Sequence, residues 1–282
     1  MATPEIGGSR SDAPETIAQG AGRVRPHMPH NRTLIIFAVA LVATLLVTGR
    51  YAGDIRTLLH PAAGYVVFGL DSLSFCDGSS HPGDLAAPYE ATVMKTLPGW
   101  RGWNASVPHQ QIQEALDGAN GDQSLVATMK RVPRHQQRWL VVTAGAEDLM
   151  SGQATVNKTE WRVLQLCSLA HDSGFKVAIH TLPAVGKESP FLRISYPLWE
   201  KSQKEFNDWL KTSGQKLVDA VVDSAADPRL ADPTDTRYYS PDQFHLSNAG
   251  YEVLGETTAN VLVELASPSA SQPVTTTAAA RS

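Results

Sequence analysis

The chain has 282 residues, of which 42% are hydrophobic and 18% charged, and its formal net charge is −4. That length holds one large domain or two small ones, with apolar content enough for an ordinary globular core. No basic run or stripe appears, which excludes a nucleic-acid binder.

Residues 1–32 are rich in Gly, Pro, Ala, Ser and Arg and poor in large apolar side chains. Such a segment cannot bury enough surface to offset chain entropy, so a disordered leader is expected. Residues 33–49, TLIIFAVALVATLLVTG, form an uncharged apolar run closed by Arg50. Its length is near the lower limit for a membrane span and also fits a signal-peptide core or a buried helix. Arg23, Arg25 and Arg32 favour a cytoplasmic N-terminus. No A-x-A site follows the run, so an uncleaved transmembrane anchor is the preferred reading, with the rest of the chain extracytoplasmic, or secreted if the segment is cleaved. Residues 50–63 read as a linker, and the low-complexity stretch 266–282 as a disordered tail.

Between Gly64 and Leu265, short β-rich apolar runs alternate with longer helix-periodic stretches. This pattern predicts a three-layer α/β/α sandwich around a five-stranded parallel sheet. The expected strands are Tyr65–Gly69, a weak one at Trp103–Ser106, then Trp139–Gly145, Lys176–Leu182 and Leu217–Ser224. A helix is expected over Thr159–His171, with Trp161, Leu164, Leu166, Leu169 and Ala170 facing the core and Gly174 as its stop. A second covers Leu198–Leu210 and buries Trp199, Phe206, Trp209 and Leu210. The last starts at Asn248, a candidate cap, and turns Val253, Leu254, Val261, Leu262 and Leu265 to the sheet.

In open parallel sheets ligands bind beyond the carboxyl ends of the strands. The polar groups expected there are Asp71 and Ser72 after the first strand, Asn104 to His109 at the second, and Gly145 to Asp148 after the third. A long polar loop, residues 225–250, then carries Asp242 and His245 three positions apart. A serine is a weak nucleophile and needs a histidine base whose second ring nitrogen is held by a carboxylate. Asp242 and His245 supply both from one loop, so Ser72, Asp242 and His245 are the candidate catalytic residues. The nine histidines show no metal-ligand spacing, and no metal or cofactor is implied. Cys76 and Cys167 could pair in an oxidising compartment without being required to. Asn31, Asn104 and Asn157 lie in N-x-S/T sequences.

With FGLDSLS at its start and DQFHLSNAGYEVLGE at its end, the stretch from Gly64 to Leu265 resembles the SGNH, or GDSL-type, hydrolases. HTLPAVG is similar to a strand-and-proline segment these enzymes often carry. The resemblance implies that Ser72 is the nucleophile and that Asp242 and His245 are its acid and base. It also assigns the oxyanion hole to Ser72, His109 and Glu147, with three departures. Leu70 replaces the first block's glycine, His109 stands where the second block supplies a glycine N–H, and Glu147 where the third supplies an asparagine donor. The implied activity is serine-dependent hydrolysis of small acyl esters, such as acetylated cell-envelope carbohydrate or lipid, or acyl transfer to a sugar hydroxyl. The alternative is a non-catalytic module of the same fold that binds an acylated glycan or a protein partner.

Overall fold

The computed structural model describes residues 62–266. The leader, the apolar run 33–49, the linker up to residue 61 and the tail beyond 266 lie outside the described residues. Among the described residues no helix is long and apolar enough to cross a membrane.

Five strands, β1 (Gly64–Leu70), β2 (Arg101–Ser106), β3 (Gln137–Thr143), β4 (Lys176–His180) and β5 (Ala220–Val222), form one sheet in the order β2-β1-β3-β4-β5. All four pairings are parallel. Every residue of β1 is buried. It has a strand on either side and helices on both faces, and so lacks polar alternation, as buried parallel strands do. β5 is three residues long, because Gly214–Lys216 forms a 3-10 turn and the chain reaches the sheet only at Ala220. β2 instead begins earlier than its weak pattern implies, at Arg101.

Of the long helices, α5 (Val156–Asp172) and α6 (Tyr196–Lys211) cover the two predicted spans and extend beyond both ends. The Thr155 side chain caps α5 by accepting from the Lys158 N–H, and Gly174, at φ +77°, ends it. Its inward face differs from the predicted one. Thr159, Val163, Leu166, Cys167 and Ala170 are buried, whereas Trp161 is 54% exposed. The buried positions follow one helical period, and Trp161 falls off that face, while its neighbour Arg162 turns inward to pair with Asp148.

The closing helix α7 (Asn248–Ala266) buries Val253, Leu254 and Leu262 but leaves Leu265 at 40% exposed. Asn248 does not cap it. Its side chain accepts the Ser80 N–H, and the Ser247 hydroxyl takes the Gly250 N–H instead. α7 packs on α1 (Pro88–Thr96) at Gly255, where a Cβ would come 2.8 Å from the Tyr89 carbonyl oxygen. Three other short helices, α2 (Ile112–Leu116), α3 (Leu125–Arg131) and α4 (Ala146–Met150), are too brief to show a period. Cys76 and Cys167 are both buried free thiols, so the optional disulfide does not form.

Candidate active site

β1 pairs with β2 on one side and β3 on the other, so the sheet reverses direction of growth at β1. The crevice beyond the carboxyl ends of β1 and β3 is therefore where a ligand is expected. Ser72 follows β1 and Glu147 follows β3, one on each side of that crevice.

Residues 71–77 fold back in a tight turn, with the Phe75 N–H on the Asp71 carbonyl and the Asp77 N–H on the Ser72 carbonyl. Thr143, the last residue of β3, anchors the turn. Its hydroxyl donates to Asp71 Oδ1 at 2.6 Å and its N–H to Ser74 Oγ at 3.1 Å. Asp71 is otherwise short of partners: Oδ1 also accepts the Leu73 N–H, but Oδ2 is buried with none. Burial pushes its carboxyl up to about 7, against the pull of the Thr143 hydroxyl.

The polar loop brings the other residues to the turn. His245 Nε2 lies 2.9 Å from Ser72 Oγ, and His245 Nδ1 lies 2.8 Å from Asp242 Oδ2. The second carboxylate oxygen of Asp242 accepts the N–H groups of Phe244 and His245, fixing the plane of the carboxylate. Although burial opposes it, the His245 side chain and these two N–H groups hold the Asp242 carboxyl below its ordinary range. His245 is 3% exposed, sheltered by Phe191 edge-on at 4.8 Å and by Phe244 at 4.7 Å. Gln243, at φ +56°, lets the loop turn so that its carbonyl accepts the Gly186 N–H.

The three departures lie around this relay. Leu70 has φ +84° and His109 φ +62°, so both adopt the left-handed backbone that glycine takes readily and a side chain resists. The backbone geometry expected of glycine is thus retained at both positions without glycine. The Val107 N–H donates to the Leu70 carbonyl and ties the second loop to the nucleophile turn. The His109 ring tilts against Phe191 and places Nδ1 3.6 Å from Glu147 Oε2. Glu147 is mostly buried and turned toward His109. Burial raises its carboxyl above the ordinary range, while the charges of His109 and Arg193 oppose the rise.

Several contributors have weak sequence signals or none. Asp77 Oδ2 sits 3.9 Å from His245 Nε2, legible only as an acidic residue in the serine's own turn. Phe191 lies in a loop with no periodicity to mark it. Asp148 pairs with the buried Arg162 and accepts the Ile112 N–H, bracing α2 and hence the loop that carries His109. Beneath the turn, the Cys76 thiol and the Asn104 amide donate to the two oxygens of buried Glu90, whose carboxyl burial pushes up to about 8. The Asn104 amide nitrogen is thereby bonded to Ser74 and Glu90.

Among solved structures, a catalytic mutant of an acetylxylan esterase from Geobacillus stearothermophilus is similar over 71% of this chain and 94% of its own, with a TM-score of 0.53 and 15% identity. A protein described as a GDSL-like lipase, from Parabacteroides merdae, matches over 70% of this chain and 94% of its own, at TM-score 0.52 and 14% identity. Likeness at that identity concerns the fold. No curated protein matches the sequence. The model of the GDSL-like Lipase/Acylhydrolase family matches residues 71–253, from the residue before the candidate nucleophile into the helix after the candidate base, and the chain belongs to that family.

Proposed function

We propose that this protein is a serine-dependent hydrolase of small acyl esters. The observation that carries the reading is the continuous relay from Ser72 Oγ through His245 to Asp242, at 2.9 and 2.8 Å. In this mechanism His245 Nε2 takes the Ser72 proton as Oγ attacks the acyl carbonyl, and Asp242 holds the Nδ1–H and stabilises the imidazolium. The protonated His245 then gives its proton to the leaving alcohol. The acyl group passes from Ser72 to water, or to a sugar hydroxyl if the protein acts as a transferase.

The oxyanion is met by backbone N–H groups of Ser72 and His109, and by Glu147 only in its protonated form, because an ionised carboxylate has no proton to donate. Loss of one such donor typically slows turnover ~10²–10³-fold, so a slow enzyme at neutral pH is expected. The same substitution favours the second reading, a binding module without turnover. We also propose that residues 33–49 anchor the chain in a membrane with the catalytic domain on the extracytoplasmic side; protease protection of the domain in intact cells tests that orientation.

Hydrolysis of p-nitrophenyl acetate by the full chain and by Ser72→Ala, together with labelling by a fluorophosphonate probe, tests the principal reading. Turnover and labelling that both vanish in Ser72→Ala support it. A protein that neither turns over the ester nor accepts the probe is the binding module.

A further inference from the structure

Asp77 closes the turn that presents Ser72, and most of its polar groups are committed to that turn. Its N–H donates to the Ser72 carbonyl, its carbonyl accepts the hydroxyl of buried Tyr251, and its Oδ1 accepts the Gly78 N–H. The remaining oxygen, Oδ2, makes no hydrogen bond among the described residues and lies 3.9 Å from His245 Nε2. A turn of this kind needs one side-chain oxygen, which asparagine supplies as well. The turn therefore does not account for the second oxygen, nor for its charge.

Asp77 is the second carboxylate beside the candidate base. Asp242 Oδ2 holds His245 Nδ1 at 2.8 Å, whereas Asp77 Oδ2 faces Nε2, the nitrogen 2.9 Å from Ser72 Oγ. The Asp77 side chain is 41% exposed against 3% for His245, so it borders solvent next to a buried imidazole. Among the described residues no lysine or arginine pairs with it, and His245 is its one ion-pair contact.

The proton route fixes which part of a substrate meets this charge. In acylation Ser72 Oγ bonds to the acyl carbon and the bond from that carbon to the alcohol oxygen breaks. The proton taken from Ser72 passes from Nε2 to the departing oxygen. That oxygen must come within roughly 3 Å of Nε2, and hence within about 7 Å of Asp77 Oδ2. Such a distance is below the Debye length of about 8 Å at physiological ionic strength, so salt weakens the interaction without abolishing it. His245 gains one positive charge when it takes the proton, but it then lies between two carboxylates, Asp242 and Asp77. The alcohol side keeps its negative sign, which attracts a cation on the leaving alcohol and repels an anion.

We propose that Asp77 sets the charge preference of the alcohol side, so that the preferred substrates are esters whose leaving alcohol carries an ammonium group. The proposal rests on the ester-hydrolase reading for its catalytic consequence, and two measurements on the full-length chain separate them.

In the first, kcat/KM is compared for acetylcholine and its neutral isostere 3,3-dimethylbutyl acetate, which share an acyl group and differ in charge on the alcohol side. The proteins are the parent, Asp77→Asn, and Asp84→Asn as a control that removes an exposed carboxyl bonded only to the Ala86 N–H. Asparagine at position 77 keeps an acceptor for the Gly78 N–H. Comparing the cationic-to-neutral ratio between proteins cancels the intrinsic reactivity of each ester. A ratio that falls about threefold or more in Asp77→Asn supports the proposal, since a unit-charge interaction across ~7 Å of water supplies that much. A ratio unchanged in Asp77→Asn, or lowered equally in Asp84→Asn, overturns it.

In the second, Ser72→Ala is titrated with the same two esters by calorimetry, alone and combined with Asp77→Asn. If neither ester is hydrolysed by the parent, the hydrolase reading fails while this titration still judges Asp77. Tighter binding of acetylcholine than of the neutral isostere, by a margin lost in the combined variant, supports the charge preference. Binding of neither ester, or a preference indifferent to Asp77→Asn, overturns it.

Discussion

His109 Nδ1 lies 3.6 Å from Glu147 Oε2, so two of the three residues that the sequence resemblance assigns to the oxyanion hole face each other. A carboxylate beside a developing oxyanion opposes it, and the same group protonated assists it. Burial raises the Glu147 carboxyl above its ordinary range and so favours the helpful, protonated form, while the charges of His109 and Arg193 oppose the rise.

Glu147→Gln supplies a permanent donor of equal size. Turnover of p-nitrophenyl acetate at about pH 8 is expected to rise ~10-fold or more, within the range for one oxyanion donor. The ratio of variant to parent rates should shrink as pH falls through the raised Glu147 pKa, because the parent then gains its own donor. Taking the ratio cancels any pH dependence that the two proteins share. A ratio independent of pH would place Glu147 outside the reaction.

Asp242→Asn keeps a side chain of the same shape but removes the acceptor for the His245 Nδ1–H. The imidazole then takes the other tautomer and cannot accept the Ser72 proton. Ester turnover is expected to drop ~10⁴-fold, while urea stability changes by about 1–2 kcal/mol, in keeping with loss of one charge-assisted hydrogen bond. Stopped assays with the fluorophosphonate probe should show an equal loss in labelling rate.

The Asp148 and Arg162 side chains are 1% and 7% exposed. Burial raises the Asp148 carboxyl even with the Ile112 N–H and Arg162 as partners, so the intact pair is close to break-even. Breaking it from one side is another matter. Asp148→Ala strands a buried guanidinium and should cost ~3–5 kcal/mol, whereas Asp148→Leu with Arg162→Met should recover most of that. Denaturant titrations of the single and double variants check the ordering.

Asp71 has a folded-state pKa of about 7, raised by burial from an ordinary 3.8. Between those values the folded chain holds a proton that the unfolded chain has released, so this group's contribution to stability is lost as pH rises from about 4 to about 7. Asp71→Asn removes the titration and keeps an acceptor for Thr143. Relative to the parent, the variant should gain stability from about pH 4 to pH 8, by at most ~4 kcal/mol. Glu90 acts in the same direction; His180, pushed down to about 3 by burial, acts oppositely below its ordinary range. Both remain in the variant and cancel in the comparison, which urea titrations at the two pH values provide.

How far the sequence reached depended on the kind of signal. The parallel sheet was legible because buried strands such as Val66 to Phe68 and Leu140 to Val142 have no polar alternation and are separated by helix-length stretches. Asp242 and His245 were legible because they sit together in one polar loop, and Ser72 because it ends a strand. Four short helices carried too few residues to display a period. The inward face of α5 was misjudged because the hydrophobic pattern put Trp161 inside. The face built on Thr159, Val163, Leu166 and Ala170, with Arg162 paired to Asp148, is the one that packs.

By itself, then, the sequence determined the α/β class, the strand order along the chain and the three polar residues that meet beyond it. Those follow from local composition and spacing. Only the tertiary structure decided that Leu70 and His109 hold left-handed backbones, that Glu147 turns to His109, and that Asp77 and Phe191 flank His245. Each depends on which distant segments share a sheet edge or a crevice, and on how burial shifts charge there. No single segment of the chain encodes either.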